Sequence, residues 1–435
     1  MPHFAFVAPA LPGHFNPLLA LAAELRGRGH RTTFIHQPDA ARLVTGAEFV
    51  AVGHDTHPPG TLDRTVARMA TLNGPFGLRS MIADVAHTTD MLARALPAAL
   101  ETIGADLLVA DQMEAASGLV ARGIGLPFVT TATGLPIDRE PGIPPPYVAW
   151  NYDGSDKGVT RNAGGYRVSD WLMRGVGDVI ERHARRFGLP PARRAEELFS
   201  PAATLAQIVP RIDFPRRALP PTFHALGPFR LGDGSFDLPD DGHPLVFCSL
   251  GTLQGARAEI FRTVAEVCAA RGLRLLIAHG GKLDARAAAR LPGDTIVRDF
   301  VPQRAVLARA AVAITHAGFN TVLDALSFGV PLVAIPLAFE QPATAARLRH
   351  AGVAEIVPRH LLGPRSLGRA VDRVLGDAGY GARAALVRDE IAGAGGVRRA
   401  ADLAEQALAS ARSAAATRAG AARGDARDDS RSGSR

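Results

Sequence analysis

Cysteine is almost missing from this 435-residue chain: Cys248 and Cys268 are the only two, too few for a disulfide framework, and Cys248 sits inside an apolar run where a buried thiol is the ordinary outcome. A reducing, cytoplasmic setting is the expectation. Lysine is scarce as well, with only Lys157 and Lys282, so the net charge of +7 comes almost wholly from arginines scattered along the chain. No basic cluster interleaved with aromatics forms, which argues against a nucleic-acid partner. Long hydrophobic runs are lacking: none approaches the roughly 18 apolar residues that crossing a bilayer needs. The first twelve residues have no basic start of the kind a secretory signal carries. Any membrane contact is therefore expected to be peripheral, at the inner face of the cytoplasmic membrane. A D-x-D pair, an H-E-x-x-H motif and a G-x-G-x-x-G fingerprint are absent too, so neither a dedicated metal site nor a dinucleotide cofactor is expected.

What is present is enough apolar residue, 47%, to fill the cores of two ordinary domains. The chain opens with an apolar run at Phe4–Ala8, a helical pattern from Leu18 to Leu25 and a second run at Thr32–Ile35, a βαβ unit and hence a parallel sheet. In the turn between, Asn16 reads as a helix cap with Pro17 at the first helical position, which leaves His14 at the carboxyl end of the first strand. Helical stretches at Thr61–Ala70 and Arg79–Ile103 precede a buried run, Leu107–Ala110, that delivers Asp111 to its carboxyl end. A helix at Ala115–Gly123 and a strand at Pro127–Thr131 follow. Loops at strand carboxyl ends converge in a doubly wound sheet, so His14 and Asp111 are expected to meet. The Pro- and Gly-rich stretch Gly134–Gly165, with Tyr147, Trp150 and Tyr152, reads as a long loop walling a pocket. A helix is predicted over Asp170–Phe187, and Pro210–Gly242 leads into a second lobe.

That lobe begins with a strand at Leu245–Ser249 and a small polar turn of Ser249, Gly251 and Thr252. A helix at Ala258–Arg271 and strands at Leu273–Ala278 and Thr295–Val297 lead to the stretch Asp299–Gln341. Here apolar runs Ala311–Thr315 and Leu332–Pro336 bracket a helix at Asn320–Phe328. The turn His316-Ala317-Gly318-Phe319-Asn320-Thr321 sets a permissive glycine and hydrogen-bonding side chains where a new helix points its N–H groups, a ready seat for a phosphate. Asn320 and Asp324, four apart, share a helix face, putting a carboxylate one turn beyond that seat. Glu340 and Gln341 follow the last strand at its carboxyl end. Further helical pattern covers Ser366–Leu375 and Ala382–Ala409. After Ser410 no large apolar residue occurs, six arginines stand among three aspartates, and a disordered tail is expected. The implied division is 1–225, a linker 226–242, 243–409 and a tail 410–435.

The stretch D-F-V-P-Q…T-H-A-G-F-N-T…D…E-Q resembles the signature of the UDP-sugar-dependent glycosyltransferases. The resemblance implies the GT-B fold, an α/β architecture of two Rossmann-like doubly wound domains facing across a cleft, with the last helix crossing back to the first domain. It also implies that Phe300, flanked by Val301, stacks on uracil, and that Gln303 borders the ribose. His316, Gly318, Asn320 and Thr321, with Ser249, Gly251 and Thr252, would hold the diphosphate, Asp324 the ribose, and Glu340 with Gln341 the sugar. Phe300 in place of a tryptophan, Arg309 in place of a histidine and Ala317 in the turn depart from the plant form of the pattern. His14 in G-H-x-N-P would be the base, oriented by Asp111. No cofactor beyond the UDP-glucose donor, and no metal, would be required.

From Pro2 to about Ala409 the chain is also similar to the carotenoid-modifying members. The words that carry this are G-H-D-T-H-P-P-G at Gly53–Gly60, V-A-D-Q-M-E at Val109–Glu114, L-P-I-D-R-E-P at Leu135–Pro141, Q-I-V-P-R-I-D-F-P-R-R-A-L-P at Gln207–Pro220 and P-L-A-F-E-Q-P at Pro336–Pro342. That similarity implies inverting glucose transfer to the ring hydroxyls of zeaxanthin. A macrolide or polyketide acceptor with the same donor site, a non-catalytic partner protein of the same fold, and a two-lobed sugar-nucleotide epimerase are the alternatives.

Overall fold

A computed structural model describes residues 1–70, 74–238 and 242–432, with 74–76 and 419–432 as backbone alone. In the first lobe seven strands, β1 (His3–Val7), β2 (Arg31–His36), β3 (Glu48–Ala51), β4 (Leu107–Asp111), β5 (Phe128–Ala132), β6 (Thr204–Ala206) and β7 (Phe223–Ala225), pair in the order β3-β2-β1-β4-β5-β6-β7. Every pairing is parallel. Its helices are α1 (Pro12–Gly27), α2 (Thr61–Ala70), α3 (Gly74–Ile103), α4 (Ala115–Ile124), α5 (Asp156–Leu172) and α6 (Arg174–Arg186). Successive strand residues face opposite sides. Phe4 and Phe6 therefore pack with Leu18 and Leu21 of α1, whereas Ala5 and Val7 pack with Leu92 and Leu96 of α3 and Leu119 of α4. Both faces are covered, which is why these strands read as unbroken apolar runs.

The second lobe repeats the scheme with β8 (Leu245–Ser249), β9 (Arg274–Ala278), β10 (Thr295–Arg298), β11 (Ala310–Thr315), β12 (Leu332–Ala334) and β13 (Ala354–Ile356), ordered β10-β9-β8-β11-β12-β13 and again all parallel. Its helices are α7 (Gly251–Gln254), α8 (Ala258–Ala269), α9 (Ala285–Ala288), α10 (Gln303–Leu307), α11 (Phe319–Ser327), α12 (Gln341–Ala351), α13 (Pro364–Gly376) and α14 (Ala378–Gly393). The strand order reverses direction between β1 and β4 in one sheet and between β8 and β11 in the other. A reversal opens a crevice at the strands' carboxyl ends, because the connections on its two sides leave in opposite directions. His14 and Asp111 follow β1 and β4; the turns at Ser249 and His316 follow β8 and β11.

The two lobes share an apolar cluster that includes Ala206, Ile208 and Ile212 of the first and Val322, Leu323 and Leu326 of α11 in the second. A buried ion pair reinforces it. Arg347 of α12, 1% exposed, donates from Nε to Asp213 at 2.6 Å, Arg216 approaches the other oxygen of Asp213 at 2.6 Å, and the Arg347 guanidinium lies 4.5 Å from the Phe214 ring centre. The last helix, α15 (Gly396–Ser432), crosses back to the first lobe. Ala400, Ala401, Ala404 and Leu408 join the α1 cluster, and Arg28 donates to Asp402 at 2.7 Å and Glu405 at 2.8 Å.

Helix α15 continues past Ser410, where Arg412 pairs with Asp106 at 2.6 Å. Three expectations need correction. Residues 239–241 of the expected linker and 433–435 of the tail lie outside the described residues. The stretch expected to be a loop to Gly165 becomes α5 from Asp156 onward: Ser155 caps it, accepting from the Gly158 N–H at 3.3 Å, and Gly165 is small because a Cβ there would reach 2.8 Å from the Trp150 ring. The single helix predicted over Asp170–Phe187 is broken at Met173 between α5 and α6. The first helix starts at Pro12, not Pro17, so Asn16 is no cap and His14 stands in the opening turn of α1. Pro12 supplies the preset φ at the start, and the missing N–H of Pro17 only leaves the Gly13 carbonyl without its helical partner.

Removing one member of a buried ion pair strands the other charge. Arg347→Ala is expected to destabilise the fold by about 3–5 kcal/mol, read as a lowered urea midpoint, whereas Arg28→Ala at the exposed α15 contact costs under about 1 kcal/mol.

Candidate active site

His14 and Asp111 come together at the first reversal point, with Nδ1 3.4 Å from Asp111 Oδ1. A third group decides their roles. Thr133, one residue beyond β5, donates its hydroxyl to Asp111 Oδ2 and lies 2.8 Å from His14 Nδ1. Having given its proton to a carboxylate, that oxygen can only accept, so Nδ1 carries the imidazole proton and Nε2 keeps a free lone pair. Asp111 is further held by the Met113 N–H at 2.9 Å. Burial lowers the His14 pKa, but the charge and hydrogen bond of Asp111, with Glu340 and Glu114 beyond it, outweigh burial and raise it above the ordinary 6.5. Glu114, 4% exposed and bonded by Thr89 at 3.2 Å, is itself pushed up to about 7, chiefly by burial.

Across the cleft the turns after β8 and β11 lie side by side, Ser249 pairing in register with Thr315. The His316 ring fills the space between them. A Cβ at Gly318 would come within 2.3 Å of its Nε2, and one at Gly251, already at φ +69°, within 2.9 Å of its Cε1. Burial pushes the His316 pKa down to about 4, so the ring is neutral. Helix α11 begins at Phe319 with Gly318 as its cap position and no side-chain cap, so its first N–H groups are not closed off by a neighbouring side chain. Ala317 at φ +65° and Phe339 at φ +55° are the non-glycine residues with left-handed backbone among the described residues; the first lies in the turn between His316 and Gly318, the second in the turn before α12.

The remaining donor-side residues divide by what they touch. Phe300 is 70% exposed, no part of the core, while Val301 packs against the apolar cluster behind it. Ser249 donates to the Ala278 carbonyl at 2.9 Å and accepts from the Gly251 N–H at 3.3 Å, tying the turn to β9; Thr252 is exposed. Gln303 donates to Asp324 Oδ2 at 2.7 Å and sits 3.4 Å from the Thr321 hydroxyl. Gln341 uses Oε1 to accept the Leu337 and Ala338 N–H groups at 2.9 and 2.8 Å, fixing the turn before α12. Glu340 occupies the cap position of that helix, its pKa raised by burial against the opposing pull of His14. Among the described residues no group of three His, Cys, Asp or Glu side chains gathers as a metal site would require.

Sequence reasoning missed the residue that joins these halves. Arg230, in the connection between the lobes, donates from Nε to Asp324 Oδ1 at 2.8 Å, from Nη2 to Asn320 Oδ1 at 2.8 Å and from Nη1 to Gln207 Oε1 at 3.0 Å. Gln207 in turn donates to the Thr133 carbonyl at 3.1 Å. Asn320 donates from Nδ2 to the Gly13 carbonyl at 2.7 Å, the group that Pro17 left without a helical partner. A hydrogen-bonded circuit thus runs from the backbone beside His14, through Asn320 and Arg230, to the backbone of Thr133. Only the place of Gln207 within a family-like word hinted at it; the spacing of Asn320 and Asp324 gave their common face but not the guanidinium that both accept from.

The profile of the family described as "UDP-glucoronosyl and UDP-glucosyl transferase" matches residues 236–387. Over 417 residues the chain is 41% identical to the zeaxanthin glucosyltransferase of Pantoea ananas, covering 94% of this chain and 96% of that one. It is 41% identical to the enzyme of the same name from Pseudescherichia vulneris, covering 95% and 100%. Among solved structures, the calicheamicin glycosyltransferase CalG4 superposes with a TM-score of 0.73 at 26% identity, over 94% of this chain and 98% of that one. Identity of this order along nearly the whole of both chains, on two facing parallel-sheet lobes, means that the chain belongs to the UDP-glycosyltransferase family of GT-B fold.

Proposed function

We propose that this enzyme transfers glucose from UDP-glucose to the hydroxyl groups of zeaxanthin with inversion, giving β-glucosides, and that His14 is its base. The observation that carries the reading is the His14 ring, whose Nδ1 proton is fixed by Thr133 and Asp111 so that Nε2 is the basic nitrogen. The acceptor oxygen attacks the anomeric carbon as its proton passes to Nε2; the bond from that carbon to the phosphate oxygen breaks and UDP leaves. Asp111 stabilises the imidazolium that forms. The departing diphosphate is met by the uncapped N-terminus of α11, with Asn320, Thr321 and Thr252 around it. The exposed Phe300 ring takes the uracil and Gln303 borders the ribose. Asp324 keeps lone pairs beyond those taken by Arg230 and Gln303 and receives the ribose diol. Glu340 and the Gln341 amide take glucose hydroxyls. The charge is met by this chain's own groups, so EDTA leaves the reaction unaffected. Sequence identity favours a carotenoid over a macrolide acceptor, because the relatives with a macrolide-type acceptor in their names match at 27% and 28% rather than 41%.

Incubation of the pure protein with radiolabelled UDP-glucose and detergent-dispersed zeaxanthin is expected to label the pigment. UDP release with a macrolide aglycone but not with zeaxanthin would overturn the acceptor. His14→Ala is expected to keep UDP binding by calorimetry and to lower kcat by roughly 10²–10⁴; parent turnover would remove His14 from the mechanism.

A base must be unprotonated, so kcat/KM is expected to rise with pH through a midpoint above 6.5, in keeping with the raised pKa of His14. In Asp111→Asn the charge that raises it is gone and burial dominates, so the midpoint moves to lower pH while the plateau falls. An unmoved midpoint would separate His14 from the acid limb. Arg230→Ala breaks the charge-assisted hydrogen bonds to Asp324, Asn320 and Gln207 and is expected to raise KM for UDP-glucose by about ten- to a hundredfold with the acceptor KM unchanged, as steady-state kinetics at saturating acceptor will read.

A further inference from the structure

Large apolar side chains left in solvent gather at one corner of the first lobe. Val168, Trp171, Leu172 and Met173 are 58%, 65%, 37% and 37% exposed. The first three stand at i, i+3 and i+4 on one face of α5, and Met173 follows in the break before α6. A contiguous patch of this kind marks a surface with a partner. Its flanks are cationic. Arg167 and Arg174 are exposed and have no ion pair among the described residues, whereas Asp170, the acid within the same stretch, is turned to Arg139 at 2.5 Å.

The corner is held firmly. Arg139 bridges the loop that leaves Thr133 to Asp170 and lies 4.7 Å from the Tyr166 ring centre, Tyr147 bonds Ser169, and Val176, Val179 and Ile180 of α6 are buried beneath. The patch is therefore presented by a rigid base joined directly to the loop behind His14.

We propose that the α5–α6 corner, residues 167–174, docks on an anionic lipid bilayer, with Trp171, Leu172, Met173 and Val168 entering the headgroup region and Arg167 and Arg174 on lipid phosphates. The inference rests on the reading of the acceptor as a long apolar diol, which dissolves in a bilayer and not in water. No helix among the described residues is long and apolar enough to cross a membrane, so the enzyme meets such an acceptor from the surface. A tryptophan amid aliphatic side chains, ringed by arginine, is the composition that membrane interfaces favour. The eight residues 167–174 fall far short of the roughly 20–30 per side that a stable protein interface uses, which argues against a second copy of the chain as the occupant.

Trp150 and Trp171 are the only tryptophans, so Trp150→Phe leaves Trp171 as the sole reporter. With phosphatidylcholine vesicles containing phosphatidylglycerol, its emission is expected to shift to the blue and the protein to float with the vesicles. Replacing Trp171, Leu172 and Met173 by Ser in the parent chain is expected to reduce flotation at least about tenfold, and Arg167→Ser or Arg174→Ser about fivefold each. The triple variant is expected to glucosylate detergent-dispersed zeaxanthin at the parent rate and vesicle-embedded zeaxanthin about tenfold more slowly. Unchanged Trp171 emission and no flotation, or a dimer in sedimentation equilibrium that the triple variant dissociates without any vesicle binding, would overturn the proposal. Flotation without transfer to detergent-dispersed pigment would sustain the docking surface and sink the acceptor reading instead.

Discussion

The contact on which the rest of this molecule hangs is the Arg230 guanidinium gripping Asp324 and Asn320 with one edge and Gln207 with another. A guanidinium only donates, so each oxygen it meets must be an acceptor, and that settles how both amides lie. Asn320 turns its Oδ1 to Arg230 and its Nδ2 to the Gly13 carbonyl; Gln207 turns its Oε1 to Arg230 and its Nε2 to the Thr133 carbonyl. The proline inside α1 has its explanation here. A proline at the sixth position of α1 removes one internal hydrogen bond, and the carbonyl it releases is taken up by the opposite lobe. Arg230 lies in the connection between the sheets, and its guanidinium touches both halves of the cleft.

Two histidines in one cleft show how environment divides a single chemistry. Both are partly or wholly withdrawn from water, which alone lowers an imidazole pKa. His14 has a carboxylate 3.4 Å away and a threonine oxygen between, so its charged form is favoured and its basicity rises. His316 has no acid beside it and falls to about 4, a neutral wall between two turns whose glycines are small because the ring occupies the space a Cβ would need. The first histidine can take up a proton at neutral pH. The second cannot, and it serves as a neutral filling between the Gly251 and Gly318 turns.

Much of the architecture was legible because strands covered on both faces leave unbroken apolar runs, and β1, β2, β4, β5, β8, β9 and β11 were all read within a residue or two. The strands that escaped, β3, β6, β7 and β13, are three or four residues long and carry Glu48, Thr204, His224 or Glu355, so no run stands out. They are sheet-edge or near-edge strands whose pairing is decided by their neighbours. Helix α5 was hidden by Gly158, Gly164 and Gly165, residues that weaken a helix in isolation, although Gly165 is pressed beneath Trp150 and Gly158 against Asp153. In the site the turns and the Asn320–Asp324 face were predictable from local spacing, and the His14–Asp111 pair from the convergence of strand carboxyl ends in a parallel sheet.

What the sequence determined by itself was the apolar run of each strand covered on both faces, a helix opening out of the His316–Thr321 turn and the delivery of His14, Asp111 and that turn to carboxyl ends of parallel strands. These are local consequences of side-chain alternation and turn chemistry. The tertiary structure alone decided which of those ends face each other, that Thr133 fixes the tautomer of His14, and that Arg230 closes the circuit between the lobes. Those contacts join residues about 90 to 300 positions apart. Their geometry depends on where two sheets reverse their strand order and on how the connection between them is folded, quantities that no short window of residues contains.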